Sequence, residues 1–350
     1  MRRLRAVLSV IAFVLATSSA LAQTDSTFQF LKIQSVALKD NLLGEPSEQE
    51  VAVYLPPGYS ESATRRYPVL YLLHGIFGGY TDWTKYWNLK GAMDDMIRAG
   101  GKPYIVVMPN GSNRLGGGFY MDSPVSGNWE GFLLHELVPR IDHDFRTVSA
   151  VNSRGVAGHS MGGFGALRLA MRHPEVFGSV YAMSPCCLDA VEDIGYGNQA
   201  WRTAIGFKTK EDFSKALERN DFYPVAIYAL VSALSPNADK PPFFVDLPVR
   251  YVRGELMPDE TLYEKWRASF PLAQVANQRA NLLRLHAITI DYGTFDQFAH
   301  IVTATPEFSR ELARLRIPHR LDVYEGDHRE KIPERLRTHV LPFFAENFPP

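Results

Sequence analysis

The stretch Gly155-Val156-Ala157-Gly158-His159-Ser160-Met161-Gly162-Gly163 decides the fold. Gly155-Val156-Ala157 reads as the end of a buried strand, and Gly163 to Met171 reads as the helix that follows, so Ser160 stands at a sharp strand-to-helix turn. Such a turn drives its central residue toward positive φ, at a cost for any residue that carries a Cβ. The flanking glycines are then steric requirements, because side chains there would collide with the adjoining strand or helix. In return the turn presents a hydroxyl at a helix N-terminus, where backbone N–H groups and the helix dipole stabilise negative charge. The pattern is that of a nucleophile elbow and predicts a serine hydrolase.

Working outward, short β-branched and aromatic runs alternate with helical segments. Strands are expected at Val51–Leu55, Val69–Leu73, Tyr104–Met108, Gly155–Gly158, Val180–Met183, Ala287–Asp291 and Leu321–Tyr324. Helices are expected at Leu89–Ala99, Trp129–Asp142, Gly162–Arg172, Pro306–Arg316 and Pro333–Asn347. This is an α/β chain with a mostly parallel central sheet, and its functional residues belong on loops at the carboxyl ends of the strands. The alternation fails between Ser184 and Leu285. A helical, cap-like insertion over the site is expected at about 187–285, with a packing layer that plays no part in binding as the alternative.

A serine hydroxyl is a weak nucleophile near neutrality and needs a base, itself oriented by an acid. In this arrangement the chain order is Ser, acid, His. His328 in Glu325-Gly326-Asp327-His328 follows the strand Leu321–Tyr324, whereas His286, His300, His319 and His339 lie in helix-like or pre-strand positions. Asp296 follows the strand Ala287–Tyr292 and is preferred as the acid over Asp291, inside the strand run, and Asp327, next to the histidine. The oxyanion hole needs an amide from the residue after the nucleophile, Met161, and one from the loop His74-Gly75-Ile76-Phe77-Gly78-Gly79. Ile76 is preferred there and Phe77 is next, with His74 read as holding the loop.

The N-terminus reads as a signal peptide over residues 1–22: Arg2, Arg3 and Arg5, an apolar core from Ala6 to Ala16, and Ala20-Leu21-Ala22 before Gln23. It predicts an exported protein, periplasmic or secreted, with residues 23–350 as one catalytic domain and no stable membrane span after cleavage. Cleavage would leave 34 basic against 38 acidic residues, a net charge of −4, and no basic patch of the kind that binds nucleic acid. Cys186 and Cys187 are neighbours and cannot join distant segments; they read as two partly buried thiols, with a vicinal disulfide as the alternative. No H-E-x-x-H or C-x-x-C spacing appears, and Asp142-His143-Asp144 reads as surface, so neither metal nor cofactor is implied.

Taken together, Tyr71-Leu72-Leu73-His74-Gly75 with Trp83, Gly118-Phe119-Tyr120, Trp129-Glu130-Gly131-Phe132 with Glu136-Leu137, Gly158-His159-Ser160-Met161-Gly162-Gly163 and Gly326-Asp327-His328 resemble the esterase D family of α/β-hydrolases. The likeness runs from about Val51 to Phe344. It implies the α/β-hydrolase fold and hydrolysis or transfer of acyl esters or thioesters, by enzymes such as S-formylglutathione hydrolases, antigen 85 mycolyltransferases, feruloyl esterases and enterochelin esterases. Carried onto matching positions it implies Ser160 as nucleophile, Asp296 as acid, His328 as base, and Ile76 and Met161 as oxyanion donors, in agreement with the reading from the residues. The expected activity is a serine carboxylesterase acting on a small-molecule ester. The alternatives are an antigen 85-type acyltransferase and a non-catalytic binding module on a hydrolase scaffold. The exported N-terminus argues against a cytosolic formylglutathione enzyme.

Overall fold

The computed structural model describes residues 26–349, so the signal-peptide reading of residues 1–22 lies outside the described residues. Eight strands form one sheet: β1 (Thr27–Gln34), β2 (Glu48–Leu55), β3 (Val69–Leu73), β4 (Ile105–Pro109), β5 (Arg154–His159), β6 (Ser179–Met183), β7 (Ala287–Gly293) and β8 (Arg320–Tyr324). Their order across the sheet is β1-β2-β4-β3-β5-β6-β7-β8. The two strands at one edge run antiparallel to their neighbours, and β3 through β8 are mutually parallel.

Strands β3, β4, β5 and β6 are buried along their whole length because both faces of the sheet are covered, which is why they read as unbroken apolar runs. Period-two alternation still divides their side chains between two cores. Val69, Tyr71 and Leu73 pack with Phe164 and Leu167 of the helix Met161–Arg172, while Leu70 and Leu72 pack on the other face with Trp83, Met93, Leu341 and Phe344. Glu130 fastens the nucleophile helix to the segment that begins at Trp129, accepting from Arg168 at 2.8 Å and Arg172 at 3.0 Å.

Two elements depart from the sequence expectations. Strand β1 went unread because it is an edge strand with most of its residues exposed or half-buried, so it offers no apolar run. The helix expected to begin at Pro306 spans Ala299–Arg314, with Pro306 in its interior. A proline ordinarily belongs in the first turn, where its missing N–H costs nothing. Here the true first turn is held by Asp193, which accepts from the amides of Ala299 and His300 at 3.1 and 2.9 Å. Between β6 and β7 lie the helices Ala200–Gly206, Lys210–Glu218, Phe222–Leu234 and Glu260–Arg267, two short helical turns at Pro271–Gln274 and Arg279–Leu282, and the hairpin Val249–Pro258. The alternation therefore failed in the sequence because helices follow one another here with no intervening strand of the main sheet.

Candidate active site

Ser160 joins β5 to the helix Met161–Arg172 with φ 56° and ψ −117°, the strained conformation expected of an elbow. The glycine spacing has a measurable cause. A Cβ on Gly158 would stand 2.3 Å from the Gly162 carbonyl group, and one on Gly162 would stand 2.1 Å from the Leu73 oxygen. The strain is held by three backbone hydrogen bonds: the Ser160 amide donates to Met183, and its carbonyl accepts from Phe164 and Cys186 at 3.0 and 3.2 Å.

The loops after β7 and β8 bring Asp296 and His328 together. Imidazole Nδ1 lies 2.6 Å from Asp296 Oδ2, and the other carboxylate oxygen accepts the Phe298 amide at 3.0 Å. Because the carboxylate accepts, Nδ1 carries the hydrogen, and Nε2 is left with its lone pair free to take a proton. Ser160 and His328 line the same cleft, and among the described residues no hydrogen bond joins them. Such contacts are often long without substrate and tighten in the complex.

The rival acids are occupied elsewhere. Asp291 is fully buried and accepts from Tyr181 at 2.8 Å and from Arg335 at 2.7 Å. Asp327 caps the turn after β8, accepting the amides of Arg329 and Glu330 at 2.8 and 2.7 Å. Of the amides in the loop after β3, that of Phe77 is committed to the Gly116 carbonyl at 2.8 Å. The Ile76 amide has no acceptor among the described residues, and neither has that of Met161, the first residue of its helix. His74 receives the Gly111 amide on Nε2 at 2.7 Å and so donates from Nδ1 to the Gly75 carbonyl at 2.8 Å. Burial pushes its imidazole down to about 4, opposed by that bond to Gly75. It is a neutral loop anchor.

Sequence reasoning passed over His159, the variable residue of the elbow. Its Nε2 donates to the backbone carbonyl of His328 at 2.8 Å, and its ring lies 4.4 Å from the His328 ring. Burial, with help from His328 and Arg329, holds its imidazole well below the ordinary histidine range, so it is a neutral donor. The bond spans 169 positions of chain, and no local spacing announces it.

Two spaces meet at Ser160. One is a narrow apolar cavity of about 40 Å³ walled by Ile76, Phe119, Phe222, Tyr223, Ile227 and Phe298, with Cys186, Cys187 and His300 also on its surface. The other is a cleft of about 300 Å³ lined by His328, Gln297, Arg329, Asp82 and Trp87. Phe222 borders both. Of the other insertion aromatics, Tyr223 faces the narrow cavity, whereas Trp201 packs on Trp266, and Tyr228 packs on Phe207 and Phe243.

The family model described as "Putative esterase" matches residues 46–332. The chain belongs to this esterase family. An esterase of Mycobacterium tuberculosis is 36% identical over 207 residues, which cover 53% of this chain and 43% of that protein. The chain thus spans less than half the length of this curated relative. Among solved structures, a ferulic acid esterase is similar with a TM-score of 0.65 at 22% identity, covering 93% of this chain and 100% of that one. An S-formylglutathione hydrolase from Agrobacterium tumefaciens gives 0.61 at 20% identity, covering 94% and 99%. At these identities the likeness is one of fold, and the fold is that of the α/β-hydrolase esterases.

Proposed function

We propose that the chain is a serine carboxylesterase in which His328, held by Asp296, takes the Ser160 proton as the hydroxyl attacks an ester carbonyl. The observation that carries this reading is that a strained serine and a carboxylate-held imidazole line one cleft with Ile76, whose amide, like that of Met161 next to the serine, is uncommitted. The Ile76 and Met161 amides receive the developing oxyanion, and water completes the cycle after the alcohol leaves. Export, in this reading, rests on the sequence of residues 1–22.

The division of space supports an assignment of the two halves of the substrate. The imidazolium must give its proton to the departing alcohol oxygen, so the alcohol occupies the cleft that His328 lines. That cleft also carries Asp82, Gln297 and Arg329, which suit a polar alcohol. The acyl group enters the other cavity, whose volume of about 40 Å³ favours a short chain. A series of chromogenic esters from acetyl upward tests this. Turnover is expected to fall as the acyl chain outgrows the cavity, and Phe222→Ala is expected to move the optimum to longer chains. A preference for long chains that Phe222→Ala leaves in place would overturn the assignment.

A further inference from the structure

The narrow cavity holds a second group of reactive side chains that ester hydrolysis does not use. Cys186 and Cys187 are both free and buried, and both reach its surface beside Ser160. The Cys186 amide donates to the Ser160 carbonyl, so this thiol residue is tied to the nucleophile's own backbone. Facing the thiols is His300, itself only 4% exposed.

His300 is held as a base is held. Its Nδ1 lies 2.6 Å from Asp193 Oδ1, and the same carboxylate accepts the His300 and Ala299 amides and the Tyr223 hydroxyl. With Nδ1–H donated to Asp193, Nε2 is the atom left to the cavity, and it is buried without a hydrogen-bond partner. An unpartnered buried polar atom calls for an explanation. An adjacent thiol supplies one, since Nε2 can take its proton.

The electrostatics agree with the geometry. Burial pushes the Cys186 thiol up and Asp296 adds to this, but Cys187 and the His300 imidazolium outweigh them and bring it down to about 7. Burial also opposes charge on His300, yet Asp193 and Cys186 raise it to about 9. Burial and the neighbouring Cys186 and Asp193 hold the Cys187 thiol well above its usual range. One thiol of the pair is therefore activated, and the other is kept protonated.

We propose that Cys186 is an oxidation site for small hydroperoxides, with His300 and Asp193 as its activating pair. The cavity's volume of about 40 Å³ selects the reagent, because hydrogen peroxide fits where a bulky electrophile does not. In the step, the Cys186 thiolate attacks one peroxide oxygen, a sulfur–oxygen bond forms and the oxygen–oxygen bond breaks. Sulfur loses two electrons to the peroxide. The departing hydroxide takes the proton from His300 Nε2 and leaves as water, and Cys186 becomes a sulfenic acid. The new hydroxyl occupies space that the acyl group needs, so oxidation inhibits the esterase.

The test treats the full chain with hydrogen peroxide, follows hydrolysis of a short chromogenic ester, and maps oxidised residues by peptide mass spectrometry. Mapping does not depend on the esterase reading, so failure of one is distinguishable from failure of the other. Cys186 is expected to gain oxygen before Cys187 or Met161 does, in step with loss of activity. Its oxidation rate in the wild-type chain should rise with pH to half its maximum near 7. Cys186→Ser should keep the fraction of its own starting activity that the wild type loses. His300→Gln, or Asp193→Asn if the first fails to fold, should slow Cys186 oxidation at neutral pH about tenfold. A loss of two hydrogens across Cys186 and Cys187 also supports the site, reporting a vicinal disulfide formed when the protonated Cys187 thiol condenses with the sulfenic acid and water leaves. Activity lost while Cys186 stays reduced, equal losses in Cys186→Ser and wild type, or oxidation indifferent to His300, Asp193 and pH would each overturn it.

Discussion

Three aspartates compete as the acid that holds His328, and their surroundings separate them. Asp296 meets Nδ1 at 2.6 Å, Asp291 is taken up by Arg335 and Tyr181, and Asp327 caps a turn. Asp296→Asn is therefore expected to lower turnover by roughly 10⁴-fold, because an amide favours the wrong imidazole tautomer. Asp327→Asn should change turnover little, and Asp291→Asn should show first as a fall in melting temperature, since it leaves a buried Arg335 with one fewer partner. Turnover of the three purified variants beside their thermal melts makes the comparison. In the proposed mechanism His159 acts one step further from the reaction, by fixing the main chain of His328. His159→Phe should lower kcat about tenfold with KM little changed, and His159→Gln, which keeps an N–H donor, should recover part of the loss. Ser160, Asp296 and His328 could be singled out in the sequence because each follows a recognisable strand, and the structure places Asp296 on His328 and His328 in one cleft with Ser160. His159, His300 and Asp193 could not, since their contacts join segments more than 100 positions apart.

At the scale of the element, strands β3 to β6 fell within a residue of where their apolar runs placed them, because burial on both faces leaves no polar interruption. The helix Ala299–Arg314 was missed at its start because the signal that governs it, Asp193, is far away in sequence, whereas Pro306 offers a misleading local one. The loop after β3 has a pH signature of its own. His74 is neutral in the folded chain, at about 4 against an ordinary 6.5, so between these values the unfolded chain binds the extra proton. Stability is therefore full above about pH 6.5 and declines as pH falls toward 4, by about 3 kcal/mol from this residue alone. Chemical denaturation across that range should show the decline. In His74→Gln, which cannot titrate there, the His74 share of the slope should vanish; a slope equal to that of the wild type would remove His74 from the account.

For the whole molecule, the mostly parallel sheet and the site at the carboxyl ends of its strands follow from the strand pattern and the elbow, while the strand order and the split of the core between two faces come from the structure. Nor could the pattern give the shape of the substrate space. That depends on which insertion aromatics turn inward: Phe222 and Tyr223 do, while Trp201 packs on Trp266 and Tyr228 on Phe207 and Phe243, although all four read alike as aromatics in the sequence. In the proposed mechanism all this structure serves one oxygen atom, the hydroxyl of Ser160. That mechanism is tested most directly by treating the wild-type chain with a small fluorophosphonate, locating the adduct by peptide mass spectrometry, and measuring ester turnover of the same sample and of Ser160→Ala. One phosphonyl group per chain is expected, on Ser160, appearing in proportion to lost turnover. Ser160→Ala is expected to fold, take up no label and be slower by on the order of 10⁵-fold or more. Label on another residue, or a Ser160→Ala chain that hydrolyses esters at close to the wild-type rate, would contradict it.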